Sequence, residues 1–155
     1  PSVVLFRNFG INEEGEELVE PERTTVLLTE LSDIKLADWI SNHAVRLVDE
    51  LTHQNFKYYE DLRLPMLMLF INKTADDMKS TMAALGEFEA AAGHFRGKIS
   101  FVYCDGKRFM DQRLALGLLP DVLPALAFNT RDNNLYPYPD TSPFLASNIK
   151  EFARQ

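Results

Sequence analysis

The sequence predicts an α/β fold, a mixed central sheet with helices on both faces. Three observations lead there. From Val45 onward, strand-sized apolar runs alternate with segments whose apolar residues recur at three and four positions, in the order β-α-β-α-β-α-β-β-α. Strands joined by helices imply parallel pairing through right-handed crossovers, and the closing β-β-α adds an antiparallel hairpin. Thirdly, Val122-Leu123-Pro124-Ala125-Leu126-Ala127-Phe128 opens an apolar strand with a proline. Proline cannot donate to a ladder, so its place there marks a special position.

Taken in order, the chain begins with Val3-Val4-Leu5-Phe6, a short apolar strand, followed by a turn region holding Gly10 and a run of glutamates. Thr25-Val26-Leu27-Leu28 is the next strand. Ser32 or Asp33 then caps a helix carrying Leu36, Trp39 and Ile40. A hairpin with one helix is only marginally stable by itself, so residues 1–44 are expected to dock on something. They read as the tail of a preceding domain, and as a possible surface for self-association. Residues 45–155 read as one complete domain. Its first strand is expected over Arg46 to Leu51, and Thr52 caps a short helix bearing Phe56, Tyr59 and Leu62. Pro65 precedes the strand Met66 to Ile71. A long helix starts at Thr74 or Asp76. Its apolar face is expected to hold Met78, Met82, Leu85, Phe88, Ala92 and Phe95, and Gly97 is expected to end it. The strand Ile99 to Cys104, a helix near Phe109 to Leu116, and the strand ending at Phe128 follow. Asn133-Asn134 signals a turn before Leu135-Tyr136, which Pro137 confines to a sheet edge. A last helix carries Phe144, Leu145, Ile149 and Phe152.

Composition narrows the function classes. The chain has 155 residues, 46% hydrophobic and 25% charged, enough for one good core. Its net charge of −7, from 23 acids against 16 bases, argues against a nucleic-acid partner, which needs basic patches. The longest apolar run, Leu64 to Ile71, falls far short of the ~20 residues that span a membrane. No membrane association is expected, and no charged start with an apolar stretch reads as a signal peptide. The chain opens on Pro1 and is read as a piece of a longer protein.

Few residues here offer chemistry. Cys104, the single cysteine, cannot form an internal disulfide, and at the end of an apolar strand it is expected to be a buried, inert thiol. His43, His53 and His94 lack metal-ligand spacing with one another or with Cys104. Glu13, Glu14, Glu16, Glu17, Glu20 and Glu22 crowd one stretch without the loop spacing of a calcium site. No metal, no cofactor and no catalytic residue is predicted.

Six stretches together resemble one family. His94-Phe95-Arg96-Gly97-Lys98 with the strand to Cys104 and Asp105 resembles the "FKGK–apolar strand–D" stretch of protein disulfide isomerases. Asp111-Gln112-Arg113-Leu114 with Leu116-Gly117-Leu118 is similar to their next helix and its "FGL"-like turn. Leu123-Pro124-Ala125 matches their cis-proline site, and Ser147-Asn148-Ile149-Lys150-Glu151-Phe152 their final helix. Near the start, Val3-Val4-Leu5-Phe6-Arg7-Asn8-Phe9 resembles the last strands of the non-catalytic b domain. Trp39-Ile40-Ser41-Asn42-His43 resembles the helix that bridges b to b′. The resemblance implies a thioredoxin-like fold, with the tail of a b domain over residues 1–44 and a whole b′ domain over 45–155. Residues 10–31 are longer and more acidic than that hairpin should be. In redox-active members the junction between strand and long helix carries Cys-x-x-Cys. Here it reads Lys73-Thr74-Ala75-Asp76-Asp77-Met78, with Ala75 and Met78 about where the sulfurs would stand.

What the resemblance implies is a redox-inactive, chaperone-like domain in the lumen of the endoplasmic reticulum. It would hold unfolded or partly folded polypeptide in an apolar pocket while neighbouring domains of the parent chain, an isomerase, exchange disulfides. The residues expected to bind are Val45, Leu47, Leu51, Phe56, Tyr59, Leu62 and Met68, with Pro124 structural. Phe56, Tyr58 and Tyr59 cannot all face inward on one helix. The alternation of Leu47 and Leu51 along a strand is a core signature and favours the core for those two. A thiol enzyme built on Cys104 lacks a resolving partner. A calcium-binding, calsequestrin-like protein is the alternative, set against the 16 bases that this chain keeps.

Overall fold

The structure, a computed structural model, describes residues 2–7, 22–27, 36, 39–40, 46–74, 78–130, 132, 134–139 and 142–154. Val45, Ser32, Asp33, Ala75, Asp76, Asn133 and the glutamates from Glu13 to Glu20 lie outside them. The chain divides into two compact units, residues 1–46 and 47–155. In the first unit, β1 (Ser2–Arg7) and β2 (Glu22–Leu27) pair antiparallel, Ser2 opposite Leu27 and Arg7 opposite Glu22. Leu36, Trp39 and Ile40 are helical, and Val26 and Trp39 are buried.

The second unit is a five-stranded mixed sheet. Its elements are β3 (Val48–Glu50), α1 (Phe56–Asp61), β4 (Met66–Ile71), α2 (Met78–Ala92), β5 (Ser100–Asp105), α3 (Met110–Ala115), β6 (Ala125–Asn129), β7 (Leu135–Pro137) and α4 (Ala146–Phe152). The strand order is β3-β5-β4-β6-β7. The β3–β5 and β4–β5 pairs are parallel; β4–β6 and β6–β7 are antiparallel. This is a thioredoxin-like arrangement. Pro137 sits in the edge strand β7, where its missing N–H costs no ladder bond.

Central β4 shows why helices lie on both faces. All six of its residues are buried, as in a strand covered twice. Leu67, Leu69 and Ile71 join Phe101, Leu126 and Phe128 in one core cluster, with Phe88, Ala91 and Ala92 of α2 and Ile149 and Phe152 of α4. Met66, Met68 and Phe70 point the other way. They meet Val102, Cys104, Ala125 and Ala127, together with Tyr59 of α1 and Phe109, Leu116 and Leu118 around α3.

Three expectations are corrected. The first strand of the second unit is only Val48–Glu50, although the backbone N–H of Leu51 still donates to the Tyr103 carbonyl at 2.7 Å. The buried face of α2 is Thr81, Ala84, Phe88, Ala91 and Ala92, whereas Met78 and Met82 are exposed. Small residues let this helix approach the sheet closely, so the bulky methionines are turned outward. The helix also stops at Ala92. A 3₁₀ turn over Gly93–Phe95 follows, and Gly97 takes up the left-handed φ of 74° beyond it.

The Leu123–Pro124 bond is cis. Two residues hold the loop before it. The buried Arg113 guanidinium donates to the carbonyls of Leu119 (2.6 Å), Pro120 (3.0 Å) and Val122 (3.0 Å), and to that of Gly106 (3.0 Å). Gly106 leaves room for Leu123: a Cβ there would stand 2.5 Å from its side chain.

Candidate functional site

Beside the short helix α1 the domain leaves an apolar cavity of about 430 Å³, lined by Phe56, Tyr59, Glu60, Arg63, Leu64, Met66, Met68, Asn129 and Thr130. Its origin is a mismatch of lengths. A six-residue helix covers about 9 Å, and a six-residue strand about 20 Å. Helix α1 therefore shields only part of the sheet face it packs on. The start of β4 and the end of β6 meet there in register, with Met66 opposite Asn129 and Met68 opposite Ala127. Ala127 takes little of the volume beside Met68.

The ends of α1 explain where its side chains point. Thr52 and Asn55 cap one another just before it: the Thr52 N–H donates to Asn55 Oδ1 at 2.7 Å, and the Asn55 N–H donates to Thr52 Oγ1 at 3.3 Å. Asn55 Nδ2 donates to the Glu50 carbonyl at 2.7 Å and so ties this turn to β3. Tyr59 is 3% exposed, and its hydroxyl donates to Asp49 Oδ2 at 2.9 Å. Its polar tip is thus spent on β3, leaving only the ring for the cavity. Phe56, one turn earlier, is 42% exposed and forms a wall. Tyr58 is exposed and meets Tyr59 edge-on, with ring centroids 5.6 Å apart.

Polar groups are few. Thr130 Oγ1 accepts from the Asn134 N–H at 3.2 Å, and Asn129 Oδ1 is buried without a hydrogen-bond partner among the described residues. Glu60 and Arg63 supply one charge of each sign. Arg63 has a φ of 52°. Met66 and Met68 are polarizable and flexible, so the floor can adapt its shape. Such a cavity falls within the usual size of ligand pockets, and its walls suit an apolar side chain more than a reaction.

Of the residues expected to bind, the structure brings Phe56, Tyr59 and Met68 together. Leu51 is wholly buried in the core beneath α1, and Leu62 packs against the same cluster. Leu47 packs against the cluster on the opposite face of the sheet. None of these three lines the cavity. Val45 lies outside the described residues. Sequence reasoning missed Glu60, Arg63, Leu64, Asn129 and Thr130. The last two are reached only through the antiparallel register of β4 and β6, which no local pattern reveals.

Chemistry elsewhere is muted. Cys104 is fully buried, and its thiol is pushed up to about 12, first by burial and then by the carboxylates of Asp105 and Glu50. Lys73, at the junction after β4, pairs with Glu50 at 2.5 Å. Among the described residues no three His, Cys, Asp or Glu side chains converge as metal ligands. No described helix is long and apolar enough to cross a membrane.

A family model described as a thioredoxin-like domain matches residues 1–155. The chain is 29% identical to the protein disulfide-isomerase of Gallus gallus over 157 aligned residues, covering 99% of this chain and 28% of that protein. It thus spans under a third of the length of that relative. Among solved structures it is similar to the zinc-bound form of human ERp44, with a TM-score of 0.64 and 21% identity over 90% of this chain and 40% of that one. It also matches the bb fragment of ERp72, at a TM-score of 0.60 and 21% identity over 99% of this chain and 66% of that one. Those two likenesses bear on the fold. The matched model, which spans the whole chain, shows that the chain belongs to the thioredoxin-like domain family.

Proposed function

We propose that this is a non-catalytic, substrate-binding domain of a protein disulfide isomerase, of the b′ type, which holds unfolded polypeptide for neighbouring redox domains in the endoplasmic reticulum lumen. The observation that carries the reading is the cavity beside α1, with the half-open Phe56 wall over a floor of Tyr59, Met66 and Met68. An aromatic and thioether surface accepts varied apolar side chains without a fixed hydrogen-bond pattern, as a binder of many clients requires. The chemistry available supports the same reading. The sequence holds one cysteine, too few for a dithiol, and its thiol is buried and held protonated at neutral pH.

The test is binding of a fluorescent apolar peptide by the 155-residue chain, followed by anisotropy. Truncating an aromatic at a binding centre typically costs more than ~1 kcal/mol, a several-fold loss of affinity. Phe56→Ala should weaken binding by that factor. Its thermal unfolding should barely move, because the ring is too exposed to carry much of the core. A variant that stays folded and binds the peptide unchanged would sink the proposal.

A further inference from the structure

The turn between β4 and α2 carries the sequence Asn72-Lys73-Thr74. This is the Asn-x-Thr pattern that accepts an N-linked glycan, with no proline in the middle position, and such acceptors belong in surface loops. No other asparagine of the chain is followed two positions later by serine or threonine. The pattern is short and recurs by chance, so its placement decides. Ile71, the last residue of β4, is buried, Asn72 is half-buried, and Lys73 and Thr74 are exposed. The chain thus leaves the sheet and reaches the surface at the acceptor itself. Thr74 folds back on the asparagine: its N–H donates to Asn72 Oδ1 at 3.2 Å, and its hydroxyl donates to the same oxygen at 2.9 Å. The Asn72 carbonyl accepts from the Thr81 hydroxyl of α2 at 2.7 Å, which ties the turn to the helix.

We propose that Asn72 is a site of N-glycosylation. The proposal rests on the lumenal reading above, because that is where the modification is made. The donor is an oligosaccharide held on a polyprenyl pyrophosphate. A bond forms between Asn72 Nδ2 and the anomeric carbon of the first sugar. The bond from that carbon to the pyrophosphate oxygen breaks, the lipid pyrophosphate leaves with the electron pair, and Nδ2 gives up one proton. Nothing is oxidised or reduced. Nδ2 carries two hydrogens, so one remains for a partner, and Oδ1 is not consumed, so both Thr74 bonds survive in the product. The turn is therefore compatible with the modified side chain. Position fits as well. Asn72 lies beyond the end of β4 opposite Met66, about 20 Å along the strand, so the attachment point is remote from the α1 cavity. A redox site at this junction would have to stay open to its substrate. The junction holds no cysteine and is free to carry a bulky, solvated group.

The 155-residue chain, carried into microsomes behind an added leader, tests the acceptor itself. The protease-protected chain should show one discrete step up in mass. An amidase that releases N-glycans should remove the step and leave aspartate at position 72. Asn72→Gln and Thr74→Ala should abolish the step, and Thr74→Ser should retain it at least in part. A protected chain without the step, or a step that survives Asn72→Gln, overturns the proposal. The parent protein, taken from its own cells and fractionated, tests the modification where it belongs. A glycan on the peptide containing Asn72 is the expected result. An unmodified Asn72 in protein recovered from the lumen overturns the proposal and leaves the lumenal reading standing. Unmodified protein recovered outside the lumen overturns that reading and the proposal with it.

Discussion

Arg113 spends its charge on backbone, since its described partners include four main-chain carbonyls and no carboxylate. Its burial is complete, and Nε has no bond among the described residues. Arg113→Leu would keep much of the apolar packing but leave the Gly106, Leu119, Pro120 and Val122 carbonyls without their donor. Hydrogen bonds to a charged group contribute about 1.5–3 kcal/mol each, and orphaned buried acceptors cost comparably. The expected loss is therefore about 3 kcal/mol or more, read as a lower urea midpoint at unchanged slope. A midpoint within error of the unsubstituted chain would show that water replaces the guanidinium. The sequence carried a hint of this role. Phe109, Arg113 and Leu116 fall at i, i+4 and i+7, which places an arginine among core positions of one helical face. Phe56 and Tyr59 were legible in a similar way: crowded aromatics on a short helix cannot all be buried, and one is open while the other is closed. Leu51 was not legible, because a leucine after a short strand serves a pocket floor and a core equally well.

At the scale of elements, propensity and periodicity located nearly every strand and helix of the second unit, since apolar runs bounded by Pro, Gly and Asn leave little choice. The outward turn of Met78 and Met82 was not readable, because it depends on what α2 packs against: Thr81 and Ala84 are smaller and take the near face. Helix α4 shows the same dependence on distant residues. Its N-cap, Leu145, has no side-chain acceptor to offer, and the Ala146 N–H donates instead to Glu87 Oε2 of α2 at 2.7 Å, across 59 residues of sequence. A carboxylate at a helix N-terminus also meets the positive end of its dipole. Glu87→Ala should destabilise the domain by about 1 kcal/mol, and Glu87→Gln by less, since the amide oxygen still accepts. Chemical denaturation of the three proteins checks both. Equal stability of all three would mean that solvent caps α4 as well as Glu87 does.

At the scale of the molecule, what decides independence is where the core lies. Among the described residues, both core clusters consist of residues from Leu47 onward, and the cavity is lined from Phe56 to Thr130. The sheet covers its central strand from both sides with helices of the same unit. Among its described residues the first unit shows a pair of strands and a few helical positions, and its acidic stretch, so prominent in the sequence, lies outside the described residues. Sequence patterning could show that a continuous β-α alternation begins near Val45, because that change of rhythm is local. It could not show the two-sided core, which requires the strand order β3-β5-β4-β6-β7. The expectation is that residues 47–155, expressed alone, unfold in a single cooperative transition with a stability in the ~5–15 kcal/mol range of small domains. The shortened chain should also bind the apolar peptide with an affinity close to that of the 155-residue chain. Heteronuclear NMR dispersion and urea unfolding followed by two probes would check the first point, and anisotropy the second. A non-cooperative transition would mean that residues 1–46 complete the core. A cooperative fold that no longer binds would mean that they complete the site.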